Sequence, residues 1–124
     1  DDLKACSIAK KYFYSVKTLA KGAIFNTEAE NIMSKYPDLD IAVINDEEFA
    51  FGEIAACVDI DEISGIFYRD NGCVIQTKHR TPIDISHLYS PRRDLIKNEL
   101  YKKIDTGELQ TTILVSRGCN GKCI

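Results

Sequence analysis

The chain has 124 residues, of which 44% are hydrophobic and 28% charged, and its formal net charge is −3. This balance excludes a disordered or fibrous chain, and the length predicts a single domain that buries its own core. No apolar run reaches the roughly 18 residues that a membrane-spanning helix needs. The sequence begins with Asp1 and not with Met, so we interpret it as a processed or trimmed product.

The first 25 residues predict a long N-terminal helix. Apolar residues between Leu3 and Ala23 recur three and four positions apart, and lysines occupy the other side. The apolar face is broad, which indicates that it contacts both the domain itself and a second surface. The residues of this face that we expect to form an assembly interface are Ile8, Tyr12, Phe13, Val16 and Leu19.

A shorter second helix is predicted to follow. Asn26 or Thr27 caps its start, and Thr27 and Glu30 have the spacing of a capping box. The helix runs to about Lys35, and Pro37 prevents it from continuing.

The middle of the chain predicts an antiparallel sheet. The polar run Asp46-Glu47-Glu48 predicts a turn between two strands. Asp70-Asn71-Gly72 predicts a tight hairpin, because Asn-Gly supplies the positive φ angles that such a turn requires. The predicted strands are 40–45, 49–60, 63–69 and 73–78.

The last third of the chain predicts one more helix and one more strand. Ser90 as N-cap and Pro91 at the first helical position begin a helix that runs to about Ile104. The β-branched run Leu109–Ser116 predicts a strand. The predicted fold class is therefore α+β: a long N-terminal helix packs on a small antiparallel sheet, with an additional C-terminal helix and strand. We expect one domain, 1–124, built from segments 1–25, 26–79 and 80–124.

The cysteines indicate an oxidising compartment. Cys119 and Cys123 enclose a short loop with Gly at its centre, and Cys57 and Cys73 flank a predicted strand, so each pair is a disulfide candidate. The paired CxxC spacing of a zinc site does not occur. We expect two disulfides, an unpaired Cys6 and an exported, extracellular or cell-surface protein. A reduced protein with five thiols is the open alternative.

Charge is distributed unevenly along the chain. Residues 1–25 carry +3, residues 26–78 carry −9 and residues 79–124 carry +3. Such polarity suits head-to-tail contact between copies, because opposite potentials orient neighbours. Three solvated faces of a small acidic protein are the simpler interpretation. A nucleic-acid partner is not expected, since the basic residues form no single positive stripe with aromatic residues.

Several segments, weak one by one, occur in an order that matches a known family. The segments are Asp2-Leu3-Lys4, Ala9, Tyr12-Phe13-Tyr14, the strand 40–45, Phe51, Ala55-Ala56 and 66–72. In this order they resemble the exposed half of the N-terminal helix and the small sheet of type IV pilins and pseudopilins. The resemblance covers residues 1 to about 78, and the cysteine-closed C-terminal region also resembles the disulfide loop of many pilins. The segment 80–124 exceeds what the compact members carry.

The resemblance implies a structural, non-catalytic subunit or minor component of a type IV pilus-like surface filament, without a cofactor. Its partners would be other copies of itself or other filament subunits. The first helix would pack into the filament core and the sheet would face outward. The hydrophobic half-helix of these proteins would have to precede Asp1, and the membrane would be contacted only through that segment.

A DNA-binding or other small cytosolic interaction module is the alternative function. The segment Asp59–Leu100 resembles the hairpin and helix of LytTR-type DNA-binding domains. That resemblance implies phosphate contacts from Arg80, Arg92, Arg93 and Lys97. The central acidic block would repel DNA, and the basic segment that this family carries before its last strand is missing.

Catalysis is not expected from this sequence. Two sets of charged residues could serve a reaction. Asp59, Asp61 and Glu62 could bind a divalent cation, and Asp40, Glu53 and Lys78 could imitate the two acids and lysine of a nuclease. The first lacks the spacing and glycine of an EF-hand loop, and any chain rich in acids offers sets like the second. His79 and His87 lie in no motif that would activate a nucleophile.

Overall fold

The structure is a computed structural model that describes residues 2–113 and 115. The chain divides into two compact units, Asp1–Pro82 and Ile83–Ile124. The first unit contains all of the regular helices and strands described. They are α1 (Lys4–Tyr12), β1 (Leu19–Lys21), α2 (Phe25–Lys35), β2 (Ile41–Val43), α3 (Glu47–Ala55), β3 (Ile66–Asp70) and β4 (Cys73–Gln76). The α+β class predicted from the sequence is therefore confirmed.

The four strands form one mixed sheet in the order β1-β2-β3-β4. Strands β1 and β2 are parallel, with Leu19 opposite Ile41, and α2 connects them. The other two pairs are antiparallel, so the sheet is mixed and the prediction of a wholly antiparallel sheet is wrong. The parallel pair arises because a helix between two strands returns the chain to the same end of the sheet.

Both faces of the sheet are covered, which makes β2 a buried central strand. On one face, α1 and α2 pack on alternate strand residues; on the other face, α3 and the turn after it pack on the remaining ones. All three residues of β2 are buried. This explains the uninterrupted apolar run Ile41-Ala42-Val43, since a strand covered on both sides needs no polar alternation. The first core is Phe25, Ala29, Met33, Leu39, Ala42 and Ile44; the second is Ile41, Val43, Ala50, Ile63 and Ile66.

The predicted hairpin is confirmed. Strands β3 and β4 pair with Asp70 opposite Cys73, which leaves Asn71 and Gly72 as the two turn residues. Their φ angles are 46° and 85°, so both occupy the left-handed region that the Asn-Gly pair tolerates.

The predicted long N-terminal helix is wrong. Helix α1 ends at Tyr12, and β1 lies inside the segment predicted to be helical. The cause is tertiary: Thr18 is buried, its backbone N–H donates to Asp40 Oδ2 at 2.8 Å, and its carbonyl accepts from the N–H groups of Asp40 and Ile41. These bonds hold Thr18 and the following residues beside β2 as a strand.

The predicted strand 49–60 is also wrong, because most of it belongs to α3. Glu47 and Glu48, predicted as a turn, form the first helical turn, where acidic side chains interact favourably with the helix dipole. Ala50, Phe51 and Ile54 pack into the second core, and their spacing along the chain is that of one face of a helix. In α2, the residue before the helix is Ile24 and makes no side-chain cap, so the predicted capping box does not form.

The predicted C-terminal helix is not formed. In its place are two short 3-10 turns, Arg93–Leu95 and Asn98–Leu100. None of the described residues of the second unit is buried, so no packing supports a longer helix. The predicted strand 109–116 lies partly outside the described residues; of those described, Leu109 forms an isolated bridge with Lys102.

Candidate interaction surface

The predicted interface residues lie at the surface, but not on one helix. Ile8 and Tyr12 are on α1, Phe13 and Val16 in the loop after it, and Leu19 on β1. The exposed fractions are 58% for Ile8, 73% for Tyr12 and 69% for Phe13, and Val16 is half-buried. Tyr14 is 93% exposed. We call Ile8, Lys11, Tyr12, Phe13, Tyr14 and Lys17 the aromatic surface.

The way in which α1 docks explains why these residues face outward. Leu3 and Cys6 pack against the first core, and Lys10 lies on the same side of the helix. Ile8 and Tyr12 lie on the opposite side at 100° per residue. The sequence pattern had assigned the lysines to the outer side, and Lys10 contradicts this because it binds a buried carboxylate.

Lys10, Thr18 and Asp40 form the polar contact between α1 and the sheet. Lys10 Nζ lies 2.6 Å from Asp40 Oδ1, and Thr18 Oγ1 donates to Asp40 Oδ2 at 3.1 Å. Burial acts to raise the pKa of Asp40, but the hydrogen bonds from Lys10 and Thr18 outweigh it, so this pKa lies below its ordinary value. The contact connects residues 22 and 30 positions apart, and sequence patterns do not reveal it.

A second charged surface lies on the other side of the sheet. Asp59, Asp61 and Glu62 follow α3 and are exposed, while Ile60 between them packs against the second core. We call these three residues the acidic turn. Among the described residues, no group of three or more His, Cys, Asp or Glu side chains is arranged to hold a metal ion.

The two acids of the nuclease-like set bind other residues of the protein. Asp40 binds Lys10 and Thr18, and Glu53 binds the guanidinium of Arg80. The Arg80 guanidinium also donates to the carbonyl of Ser64 at 2.9 Å, so it ties the chain after β4 to α3. These acids therefore have structural partners.

The arginines of the DNA-binding alternative are also engaged within the protein. Arg92 binds Asp94 through two hydrogen bonds of 2.8 and 2.7 Å, and Arg93 donates to the carbonyl of Thr112 at 2.7 Å. The helix that was expected to present them is not formed. Arg92 and Arg93 are therefore not presented on a helix as a phosphate-binding surface.

The described cysteines are free thiols. Cys57 and Cys73 are exposed and Cys6 is half-buried, and the structure contains no bond between Cys57 and Cys73. The predicted pairing assumed that Cys57 and Cys73 face each other across adjacent strands, whereas Cys57 follows helix α3. Cys119 and Cys123 lie outside the described residues.

Comparison with known proteins adds no assignment. The sequence matches no protein family, and no curated protein matches it. Among the described residues, no helix has the length and apolar character needed to cross a membrane.

Proposed function

We propose that this chain is a non-catalytic assembly module whose aromatic surface binds another copy of the same protein. The exposure of three consecutive aromatic residues, Tyr12, Phe13 and Tyr14, carries the proposal. Aromatic side chains are enriched in the cores of protein interfaces and supply many of the residues that dominate binding energy.

The acidic turn of a second copy is the binding partner that the charges favour. Lys11 and Lys17 are exposed within the aromatic surface, and the acidic turn carries three exposed carboxylates. In one copy the two surfaces lie on opposite sides of the sheet, because α1 covers one face and α3 the other. A contact between them must therefore join different copies.

Such a contact is head-to-tail and generates an open filament or a ring. A heterologous contact between two copies leaves one aromatic surface and one acidic turn unused on the pair, so further copies can add. This geometry is compatible with the pilus-like filament that the resemblance implies. The short α1 removes the long helix expected in the filament core, so the proposal depends on surface contacts. Export to the cell surface remains a prediction.

The first test removes the aromatic side chains and measures association. Sedimentation velocity of the wild type over a concentration series should show assembly that weakens as salt is added, because exposed charges are screened. The variant Tyr12→Ser/Phe13→Ser/Tyr14→Ser should lose this salt-sensitive assembly. The matched control is Tyr89→Ser, since Tyr89 is 98% exposed in the second unit and its loss should leave the assembly unchanged. Equal assembly of the triple variant and the control would overturn the proposal.

A charge-reversal experiment tests the identity of the partner surface. Asp59→Lys/Asp61→Lys and Lys11→Glu/Lys17→Glu should each lose the salt-sensitive assembly when alone. Mixing the two should restore pairing, because each variant keeps the surface that the other has lost. Circular dichroism establishes that both variants fold. If the mixture shows no salt-sensitive assembly while the wild type does, another surface binds the aromatic residues.

A further inference from the structure

The two edges of the sheet differ in how they are protected. Edge strand β1 carries Lys21, which binds Glu47, and exposed Lys17 precedes it. Edge strand β4, Cys73-Val74-Ile75-Gln76, contains no charged residue and no proline. Natural proteins use charges, prolines or bulges to prevent edge strands from pairing, and β4 has none of these within its four residues.

The register of the hairpin defines which backbone groups of β4 point outward. Ile75 is opposite Tyr68, and the N–H of Thr77 donates to the carbonyl of Ile66 at 3.0 Å. Alternate residues of an antiparallel pair exchange hydrogen bonds, so Cys73, Ile75 and Thr77 bond toward β3. Val74 and Gln76 therefore direct their N–H and C=O groups away from it.

We propose that β4 pairs in antiparallel orientation with β4 of a second copy, around a two-fold axis at Ile75. Val74 of each copy then lies opposite Gln76 of the other, and these residues exchange the outward hydrogen bonds. The two sheets join into one sheet of eight strands. An extended backbone is the ligand that such an edge recognises.

Several observations favour a second copy over an unrelated peptide. The edge is self-complementary, since every outward N–H in the pairing meets an outward C=O. Cys73 and Ile75 are exposed on the same face of the strand, and Ile75 meets its own equivalent across the axis. The pairing places Lys78 of each copy beside the hairpin turn of the other. That turn follows Asp70, so a positive charge lies near a negative one and like charges stay apart.

A charge placed on the axis tests the pairing. Ile75→Lys opposes two positive charges and should raise the dissociation constant of the dimer at least about tenfold, which corresponds to about 1.4 kcal/mol. Ile75→Thr keeps a neutral β-branched residue and should remain dimeric. Sedimentation equilibrium measures both variants, and circular dichroism establishes that they fold. A wild type that stays monomeric at all concentrations, or an Ile75→Lys variant with unchanged affinity, would overturn the proposal.

Disulfide trapping tests the register. Ile75→Cys should form a bond between equivalent residues under mild oxidation, located by peptide mapping so that native cysteines do not confuse it. Gln76→Cys is the matched control on the same edge, because equivalent Gln76 residues would be farther apart than the roughly 7 Å that a disulfide spans. A trapped bond at 76 and none at 75 would contradict the register.

This dimer is independent of the head-to-tail contact. The Tyr12→Ser/Phe13→Ser/Tyr14→Ser variant should still form the β4 dimer, and Ile75→Lys should still show salt-sensitive assembly. Loss of both associations in either single variant would contradict the separation of the two surfaces.

Discussion

The two units of this chain contain similar kinds of residues and use them differently. Every buried residue described lies between Thr18 and Ile66, in the first unit. The second unit also has apolar residues at helical and strand spacings, yet its described residues are all exposed or half-buried. Its most exposed aliphatic residues are Leu95, Leu100, Ile104, Ile113 and Val115. An apolar stripe forms a core only when another element presents a second stripe to it.

Ion pairs differ in the same way. In the first unit they join distant segments, as Lys10 joins Asp40 and Arg80 joins Glu53. In the second unit the ion pairs described are local, such as Arg92 with Asp94 two residues away. Local pairs do not hold separate elements together, so the cooperative stability is expected to come from the first unit.

The largest difference is expected between two isoleucines. Ile66 is 0% exposed and Ile104 is 105% exposed. Ile66→Ala should lower the free energy of unfolding by about 2–5 kcal/mol because it leaves a cavity, whereas Ile104→Ala should change it by less than about 0.5 kcal/mol. Urea unfolding followed by circular dichroism measures both, since the chain has no Trp. Comparable losses would show that the second unit has a core of its own.

Two arginines provide the next comparison. The guanidinium of Arg69 donates to the carbonyls of Met33 at 2.6 Å and Tyr36 at 3.4 Å, at the end of α2. Arg69→Met should cost about 1.5–3 kcal/mol, as expected for hydrogen bonds from a charged donor. Arg92→Met is the matched control, because Arg92 is exposed and its guanidinium binds Asp94, two residues away. We expect its midpoint of urea unfolding to equal that of the wild type; an equal shift in both variants would refute the distinction.

The pH dependence of stability should separate Asp40 from Asp94. Because the pKa of Asp40 is lowered by folding, its contribution is complete above the unfolded-state value of about 3.9 and is lost as pH falls through the folded-state value. Asp40→Asn should cost about 1.5 kcal/mol at neutral pH, the lower end of the range for hydrogen bonds to charged groups. This difference from the wild type should shrink only below about pH 4.

Asp94→Asn is the control for this experiment. The hydrogen bond from Arg92 lowers the pKa of Asp94, but both groups are exposed, so we expect the variant to follow the wild-type stability at every pH. Urea titrations at a series of pH values measure the free energy of unfolding of both variants and the wild type. A gap between Asp40→Asn and the wild type that widens on acidification would reverse the predicted sign.

The smallest expected effect concerns two glycines with positive φ. Gly72 has φ 85° in the β3–β4 turn and Gly107 has φ 70° in the second unit, and both have open space where a Cβ would lie. Gly72→Ala should cost about 1 kcal/mol, because a side chain disfavours the left-handed region. Gly107→Ala incurs the same local strain but should leave the main unfolding transition in place. Thermal melts followed by circular dichroism compare the two variants. A lower melting temperature for Gly107→Ala than for the wild type would show that the second unit contributes to the main unfolding transition.

Local signals in the sequence were sufficient for part of the fold. The Asn71-Gly72 turn was predictable because only a few residue pairs tolerate two positive φ angles. Helix α2 and strand β2 were predictable because Pro37 separates a helical pattern from a short apolar run. Tyr12 and Phe13 are exposed where the helix expected to carry them ends, and their role in an interface stays a prediction.

What the amino-acid sequence determined by itself is the α+β class, the hairpin and the uneven distribution of charge. The tertiary structure alone decided that Thr18–Lys21 leaves the helix to pair with β2, and that Glu47–Ala55 is a helix. In both segments the apolar spacing is compatible with more than one structure. At Thr18 the strand is selected by Asp40, 22 residues along the chain, whose hydrogen bonds exist only in the folded protein. At Glu47–Ala55 the helix is selected by the packing of Ala50, Phe51 and Ile54 on the second core.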